Sequence, residues 1–453
     1  MKPESSTPRR IVVTGMGTIN PLSFDLDEFW NACASGTSGV SRLELGGEPI
    51  PIKYAGQVHE FTGSIDNFGN LQGTIKKDIR KSLKLMSREI QMGVASAQRA
   101  LQDAGLDKGV ANPARVGVSY GADYIITTID ELTAGVLACQ SNGTFDSQQW
   151  ALHGMPKMTP LWQLKFLTNM ITSHISILNQ FYGVGCNVTN RESSIGALVS
   201  EAAEIIRSGK ADIMVVGASG SRLHPLRIIN AIRFKTATES TEFPPEQASR
   251  PYDFHRSGEV LGEGAGALIL EDAEGARKRG ARIYAEIVGG AHNCVLSPDP
   301  RNARSTYFQY DSPENTTRSL ALSLREMFKK TAWAPEAVGH INGQGQSSVS
   351  LDAAECGAIA DVFGNLAKTL PLTTIKGHIG NAGAGGDAND LIASILSLGK
   401  GTLFPVLNYT DPDPTCPVNV VRTAGVPSGD SFVKTCCHSL GQTSALLVSR
   451  WKP

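Results

Sequence analysis

The sequence predicts an α/β fold with mostly parallel sheets, built twice over. Short β-branched runs ending in glycine alternate with longer segments whose apolar residues recur at helical spacing. The alternation restarts near Ala281 after a first pass. The composition is globular: 41% of 453 residues are hydrophobic and 19% charged, enough for two or three ordinary domains or one large duplicated one.

After a polar tail, Arg10 to Gly17 reads as a buried strand and a glycine turn. From Ser87 to Ala104 the apolar residues Ile90, Val94, Ala97 and Leu101 are helically spaced, and Gly105 fits as the stop. Arg115 to Gly121 is a second short strand. Residues from about 122 to 167 are irregular, with Gly143, Pro156 and Pro160, and read as an insertion. Thr168 to Phe181 is again helical. A helix then runs from Glu192 to Ser208-Gly209, and an apolar strand follows from Asp212 to Gly217. Gly262 to Glu271 reads as a glycine turn feeding a strand. In the second pass, Ala281 to Gly290 is a strand and Thr317 to Lys330 a helix, with strand-like pieces at Val338–Ile341 and Ser444–Val448. The halves divide as residues 1–272 and 273–453.

Several function classes are excluded. A net charge of −1 offers no basic footprint for nucleic acid. No apolar run approaches the ~18 residues of a membrane span, and the first ten residues lack the apolar stretch of a signal peptide. The eight cysteines form no CxxC pair and fit no zinc or haem spacing, so no metal is expected and free thiols in the cytoplasm are the simplest reading.

Five separated motifs resemble the β-ketoacyl synthases, the condensing enzymes of fatty-acid and polyketide assembly. They are the opening strand, Arg250-Pro251-Tyr252-Asp253, Gly262-Glu263-Gly264-Ala265-Gly266, Gly377-His378 with the Gly/Ala run to Gly386, and Gly441-Gln442-Thr443-Ser444. The resemblance covers nearly the whole chain. It implies the thiolase fold, a duplicated five-layer αβαβα arrangement with two similar halves, and a dimer.

The resemblance also implies a degenerate site. The family places its cysteine nucleophile seventeen residues before the glycine that ends the elbow helix, and counting back from Gly209 lands on Glu192. An aspartate and a glutamate follow the family's first histidine by eight and eleven residues. Asp352 and Glu355 stand at those distances from Gln344, so Gln344 replaces that histidine, and Gln346 replaces a threonine. With His378 taken as the surviving second histidine, Thr373 stands where the lysine five residues before it belongs. His438 takes the place of the aromatic gate. Glutamine is always neutral, so Gln344 can donate a hydrogen bond but cannot act as a general base.

Blander roles stand beside these. Thr189-Asn190-Arg191-Glu192 matches a helix capping box, so Glu192 either caps the helix, plugs the dead acyl site, or does both. His378 without partners reads as structural. Asp352 and Glu355 face one way on a helix and read as structural, and the Gly/Ala run after His378 reads as close backbone packing. Cys186, six residues before Glu192, reads as core packing or as a displaced nucleophile.

The resemblance implies a chain-length factor: a catalytically dead ketosynthase-like subunit paired in a heterodimer with an active ketosynthase. Such subunits serve type II polyketide biosynthesis, aromatic or polyene. They need no cofactor of their own and meet acyl groups on the phosphopantetheine of an acyl carrier protein. Tyr124, Ile125, Leu137 and Cys139 are the expected tunnel wall. A malonyl carrier-protein decarboxylase and a self-paired acyl-binding scaffold are the competing readings.

Overall fold

The computed structural model describes residues 9–43, 50–295 and 313–453; the polar tail through Pro8 lies outside them. Ten strands carry the architecture: β1 (Ile11–Ile19), β2 (Val116–Ala122), β3 (Gly185–Val188), β4 (Ile213–Ser221), β5 (Leu261–Asp272), β6 (Ala285–Cys294), β7 (His340–Asn342), β8 (Pro371–Thr373), β9 (Ser431–Cys437) and β10 (Gln442–Ser449). Seven helices pack on them: α1 (Arg88–Asp103), α2 (Met170–Asn179), α3 (Ser194–Arg207), α4 (Pro225–Phe234), α5 (Pro313–Thr331), α6 (Val349–Phe363) and α7 (Ala384–Lys400).

The duplication is written in the strand order. The first half runs β3-β2-β4-β5-β1 and the second β8-β7-β9-β10-β6, each with the same pattern of parallel and antiparallel neighbours. Three antiparallel residue pairs between β1 and β6, from Ile11↔Ile287 to Val13↔Ala285, join the halves. The sheets are mixed, not mostly parallel as expected. β5 and β10 run antiparallel to both neighbours in the main sheet; β10 returns from β9 through a short turn, whereas the chain between β4 and β5 carries α4 and a long loop.

Burial sorts the helices into layers. One apolar cluster joins Leu198 and Ile206 of α3 and Leu391 and Ile395 of α7 to Val216 of β4 on one side and Phe432 of β9 on the other. These two helices therefore lie between the two sheets. A second cluster covers the outer face of the first half with α1 and α2, and a third covers the second half with α5 and α6. The result is five layers, α-β-α-β-α.

The run Gly262 to Glu271 lies wholly inside β5 instead of forming a turn. Its glycines admit α7: a Cβ on Gly385 would stand 1.9 Å from the Gly264 carbonyl oxygen. Backbone thus packs on backbone, as the Gly/Ala pattern predicts. The 122–167 segment contributes no strand to the main sheet; it carries a helix (Ile129–Ala138), a two-stranded ribbon and several short helical turns.

Candidate functional site

Loops leaving the C-terminal ends of five strands converge on one point. They bring Glu192 after β3, Arg222 after β4, Gln344 and Gln346 after β7, Asn381 after β8 and His438 after β9. Ligand sites in α/β sheets form at such crevices because the loops there are free to vary while the strands hold their ends. Arg191 takes a left-handed backbone (φ 49°) that turns the chain sharply out of β3 into a single 3-10 turn, Arg191–Ser193, before α3 begins. This turn buries Glu192 to 1% exposure. Ser444 donates to the Ser193 carbonyl (3.1 Å) and pins the start of α3 to β10.

Glu192 does not close a capping box. Its carboxylate instead accepts from Arg222, and Asn381 Nδ2 lies 3.3 Å away. Arg222 also donates to Glu259 (2.7 Å), and its Nε lies 3.8 Å from Asp123, which pairs with Arg227 at 2.9 Å. Three carboxylates and two guanidiniums thus form one buried cluster. Burial works against charge on Glu192, but Arg222, His438 and Arg191 outweigh it and hold the carboxyl at about 2. Burial likewise works against Arg222, and Glu192, Glu259 and Asp123 raise it above its ordinary range. Burial pushes Glu259 up, with Arg222 opposing. At neutral pH Glu192 is an anion tied through one carboxylate oxygen to Arg222 and Asn381, while its second oxygen, Oε2, is buried without a hydrogen-bond partner.

His438 sits on the opposite wall. Its Nε2 lies 3.9 Å from Glu192 and accepts from Arg191 at 2.8 Å. Burial lowers it to about 4 despite Glu192, so the ring is neutral. Asn381 bridges further, to Glu259 (3.1 Å) and to the Gln346 oxygen (3.2 Å), while Gln346 donates to the Cys437 carbonyl (3.1 Å). The space left above Glu192 is about 70 Å³, lined in part by Tyr124, Arg191, Phe234 and His438. That holds a few waters and falls well short of the ~300 Å³ at which small-molecule sites begin.

The expected site residues part company here. Gln344 points its amide at Asp387 (2.9 Å), not at Glu192. Thr373 donates to the Phe404 carbonyl (2.8 Å). His378 is not in the site: its ring nitrogens lie 2.9 Å from the carbonyls of Thr37 and Pro405. The residue facing Glu192 from that segment is Asn381, because the short helix Lys376–Ile379 turns His378 toward the Thr37 backbone before the chain reaches Asn381. Lys376 stands five residues before Asn381 and is buried against Asp387 (3.1 Å) and Asp390 (2.5 Å). Lys434 shares both carboxylates. The lysine-to-histidine spacing of the family therefore fits Lys376 and Asn381 as well as Thr373 and His378, and the geometry favours the first pair.

Asp352 and Glu355 brace the loop after β7. Asp352 accepts from the amides of Gln346 (2.8 Å) and Tyr252 (3.0 Å). Glu355 accepts from the amides of Gln344 (2.7 Å) and Gly345 (3.0 Å). The four tunnel-wall candidates do not share a wall. Tyr124 lines the cavity, stacked by Arg191 and Arg227. Ile125 packs toward the first-half core. Leu137 is 59% exposed, and Cys139 is buried beside Gly154. A helix (Ile129–Ala138) intervenes and turns the later residues away from the sheet end.

Burial also bears on the nearby thiols. Burial raises Cys186, with Glu201 adding to it, raises Cys436 to about 12, and raises Cys437 well above its ordinary range. Arg222, Glu259 and Asn381 were invisible to the motif reading. Only the five-residue spacing from Lys376 could have found Asn381.

Residues 8–276 match the profile "Beta-ketoacyl synthase, N-terminal domain" and residues 303–410 its C-terminal counterpart. The chain is 28% identical to 3-oxoacyl-[acyl-carrier-protein] synthase 2 of Coxiella burnetii, covering 97% of this chain and 98% of the relative. It is also 28% identical to the oxytetracycline polyketide putative beta-ketoacyl synthase 1 of Streptomyces rimosus, covering 97% and 96%. A solved type II polyketide synthase complex, an acyl-carrier protein with its ketosynthase bound to the hexaketide, superposes with a TM-score of 0.80 at 25% identity, covering 98% of this chain and 100% of that one.

Proposed function

The chain belongs to the β-ketoacyl synthase family, and from that premise we propose that it is a non-condensing subunit of the chain-length-factor type, paired in the cytoplasm with an active ketosynthase in polyketide assembly. One observation carries the reading: at the helix start where the family holds its nucleophile, Glu192 is a buried carboxylate ion-paired to Arg222. Condensation needs a thiolate to hold the acyl chain and donors that also accept protons. Here the position is filled by an anion, and its neighbours Asn381 and Gln346 are neutral amides. The same anion would repel a malonyl carboxylate, which counts against decarboxylation.

A partner has a place to bind. Among the described residues β3 pairs only with β2, leaving its other edge open, and Ile177, Tyr182 and Val184 beside it are exposed. An open strand edge with apolar flanks is a pairing surface. In this reading the acyl group belongs to the partner and arrives on the phosphopantetheine of a carrier protein, and this chain needs no cofactor.

Native mass spectrometry of the tagged protein drawn from its host tests the reading. The expected result is a one-to-one complex with a protein of similar mass that carries the cysteine and two histidines. A homodimer alone would overturn it, and carbon dioxide release from malonyl carrier protein would then separate decarboxylase from scaffold.

A further inference from the structure

A separate cavity of about 290 Å³ opens where the end of β6 and the start of β10 meet the beginning of α3. Alternation along β6 decides which of its residues face that cavity. Ala291 belongs to the outer apolar cluster with α5, and the Asn293 side chain donates to Ser323 of α5 (3.2 Å). On the other face, a Cβ on Gly290 would stand 3.1 Å from the Ser200 side chain of α3. Successive side chains of a strand point to opposite faces, so His292 and Cys294 follow Gly290 and project on the α3 side. Both line the cavity, and both are exposed.

β10 adds a third group. Gln442 pairs with Cys294 across the antiparallel ladder, and directly opposed residues share a face with their Cβ atoms about 4.5–5.5 Å apart. Asn190, in the loop that leads to Glu192, lines the same space. Among the described residues, none of these four side chains is hydrogen-bonded to another residue, whereas Ser193 beside them already donates to the Asn190 carbonyl (2.8 Å).

A thiol, an imidazole and two amides, uncommitted and facing one small space, suit a borderline-soft metal ion. Thiolate and imidazole are the ligands of zinc and its neighbours in the first transition row, while magnesium and calcium take oxygen ligands. No three His, Cys, Asp or Glu side chains gather for a metal among the described residues. An ion here therefore fills its remaining positions from amide oxygen and water, as in an open zinc site. The expectation of no metal rested on the spacing between cysteines, and a histidine and a cysteine alternating on one strand escape that count.

We propose that this cavity binds a thiophilic divalent ion such as zinc, held by the Cys294 thiolate and the His292 ring, with the Gln442 amide oxygen as third ligand and water as fourth. The thiol gives its proton to solvent as the sulfur takes the ion. The site draws on neither the ionic cluster around Glu192 nor a partner subunit, so it stands or falls apart from the function proposed above.

Cobalt(II) titration of the untagged, reduced chain tests this, because cobalt enters zinc sites and a thiolate bound to it gives an intense near-ultraviolet charge-transfer band. The expected result is a band that saturates at one equivalent and is bleached by added zinc. Cys294→Ser should abolish it. His292→Ala should weaken cobalt affinity by roughly tenfold or more, and Gln442→Ala by less. No band, unchanged affinity in His292→Ala, or a band that survives in Cys294→Ser would each overturn the proposal; the last would point to Cys186, the partly exposed thiol. Should a variant fail to fold, anomalous scattering from a zinc-soaked crystal of the parent chain asks the same question. A peak between Cys294 and His292 supports the site, and zinc bound only elsewhere sinks it.

Discussion

Glu192 and Arg222 show why loss of one residue type is not readily undone. Glu192→Cys should not restore condensation, because Gln344 is turned toward Asp387 and Asn381 cannot exchange a proton. Elongation of an acyl primer by that single variant would refute this. The ion pair itself is structural. Arg222→Met leaves Glu192, Glu259 and Asp123 without their shared cation and should cost about 3–5 kcal/mol, as breaking a buried pair does. Glu192→Gln should cost less, since Arg222 keeps Glu259. Denaturant unfolding of the two variants compares them directly. At this scale motif counting drew attention to Glu192, Gln344, Asp352 and Glu355, all of which prove to be buried. It misled at His378, because a histidine after a glycine draws the eye while Asn381, three residues on, carries no chemical signature. Arg222 was not legible at all; an arginine at a strand end pairs with whatever the fold brings near, and that is a tertiary fact.

Helices and strands emerged within a few residues of where periodicity and glycine stops put them. The helix expected over Ser87–Ala104 is α1, Arg88–Asp103, and that over Thr317–Lys330 is α5, Pro313–Thr331. Strand direction did not emerge, since an apolar run reads alike in either orientation, and the sense of β5 and β10 is set by where the chain returns. Packing between elements gives a paired prediction on one helix. Gly385→Ala on α7 drives a Cβ into the Gly264 carbonyl and should destabilise the fold by about 1–3 kcal/mol or more. Gly399→Ala, near the other end of α7 with nothing within 4 Å, should stabilise it by about 0.5–1 kcal/mol through helix propensity. Melting temperatures that move the same way in both would contradict the packing account.

For the whole molecule, buried titratable groups set the response to acid. Burial holds His340 and His438 at about 4, below their ordinary 6.5. A depressed histidine favours the folded state above 6.5, and that stability is lost as pH falls through 4. Asp352 acts the other way: burial raises it from 3.8 to about 7, so its contribution is full below 3.8 and lost as pH rises through 7. Glu192, depressed from 4.5 to about 2, adds a further loss at lower pH. Between pH 6.5 and 4 two histidines outweigh one aspartate, and stability should fall on acidification. His438→Gln should flatten that slope and Asp352→Asn should steepen it, read from denaturant midpoints across the range. Equal slopes in the two variants would show that other groups control it.

The placement of β1 has a consequence for how the protein is born. β1 leaves the ribosome before both strands it pairs with, yet it lies at the centre of the finished sheet, between β5 and β6. Neither neighbour exists until synthesis has passed Leu261 and then Ala285. At ~5–20 residues per second, the nascent strand waits on the order of 10–50 s with both edges unpaired. Such a chain is exposed to misassembly throughout its own translation, and its yield in a cell should depend on the chaperones that meet it there as much as on the stability it finally reaches.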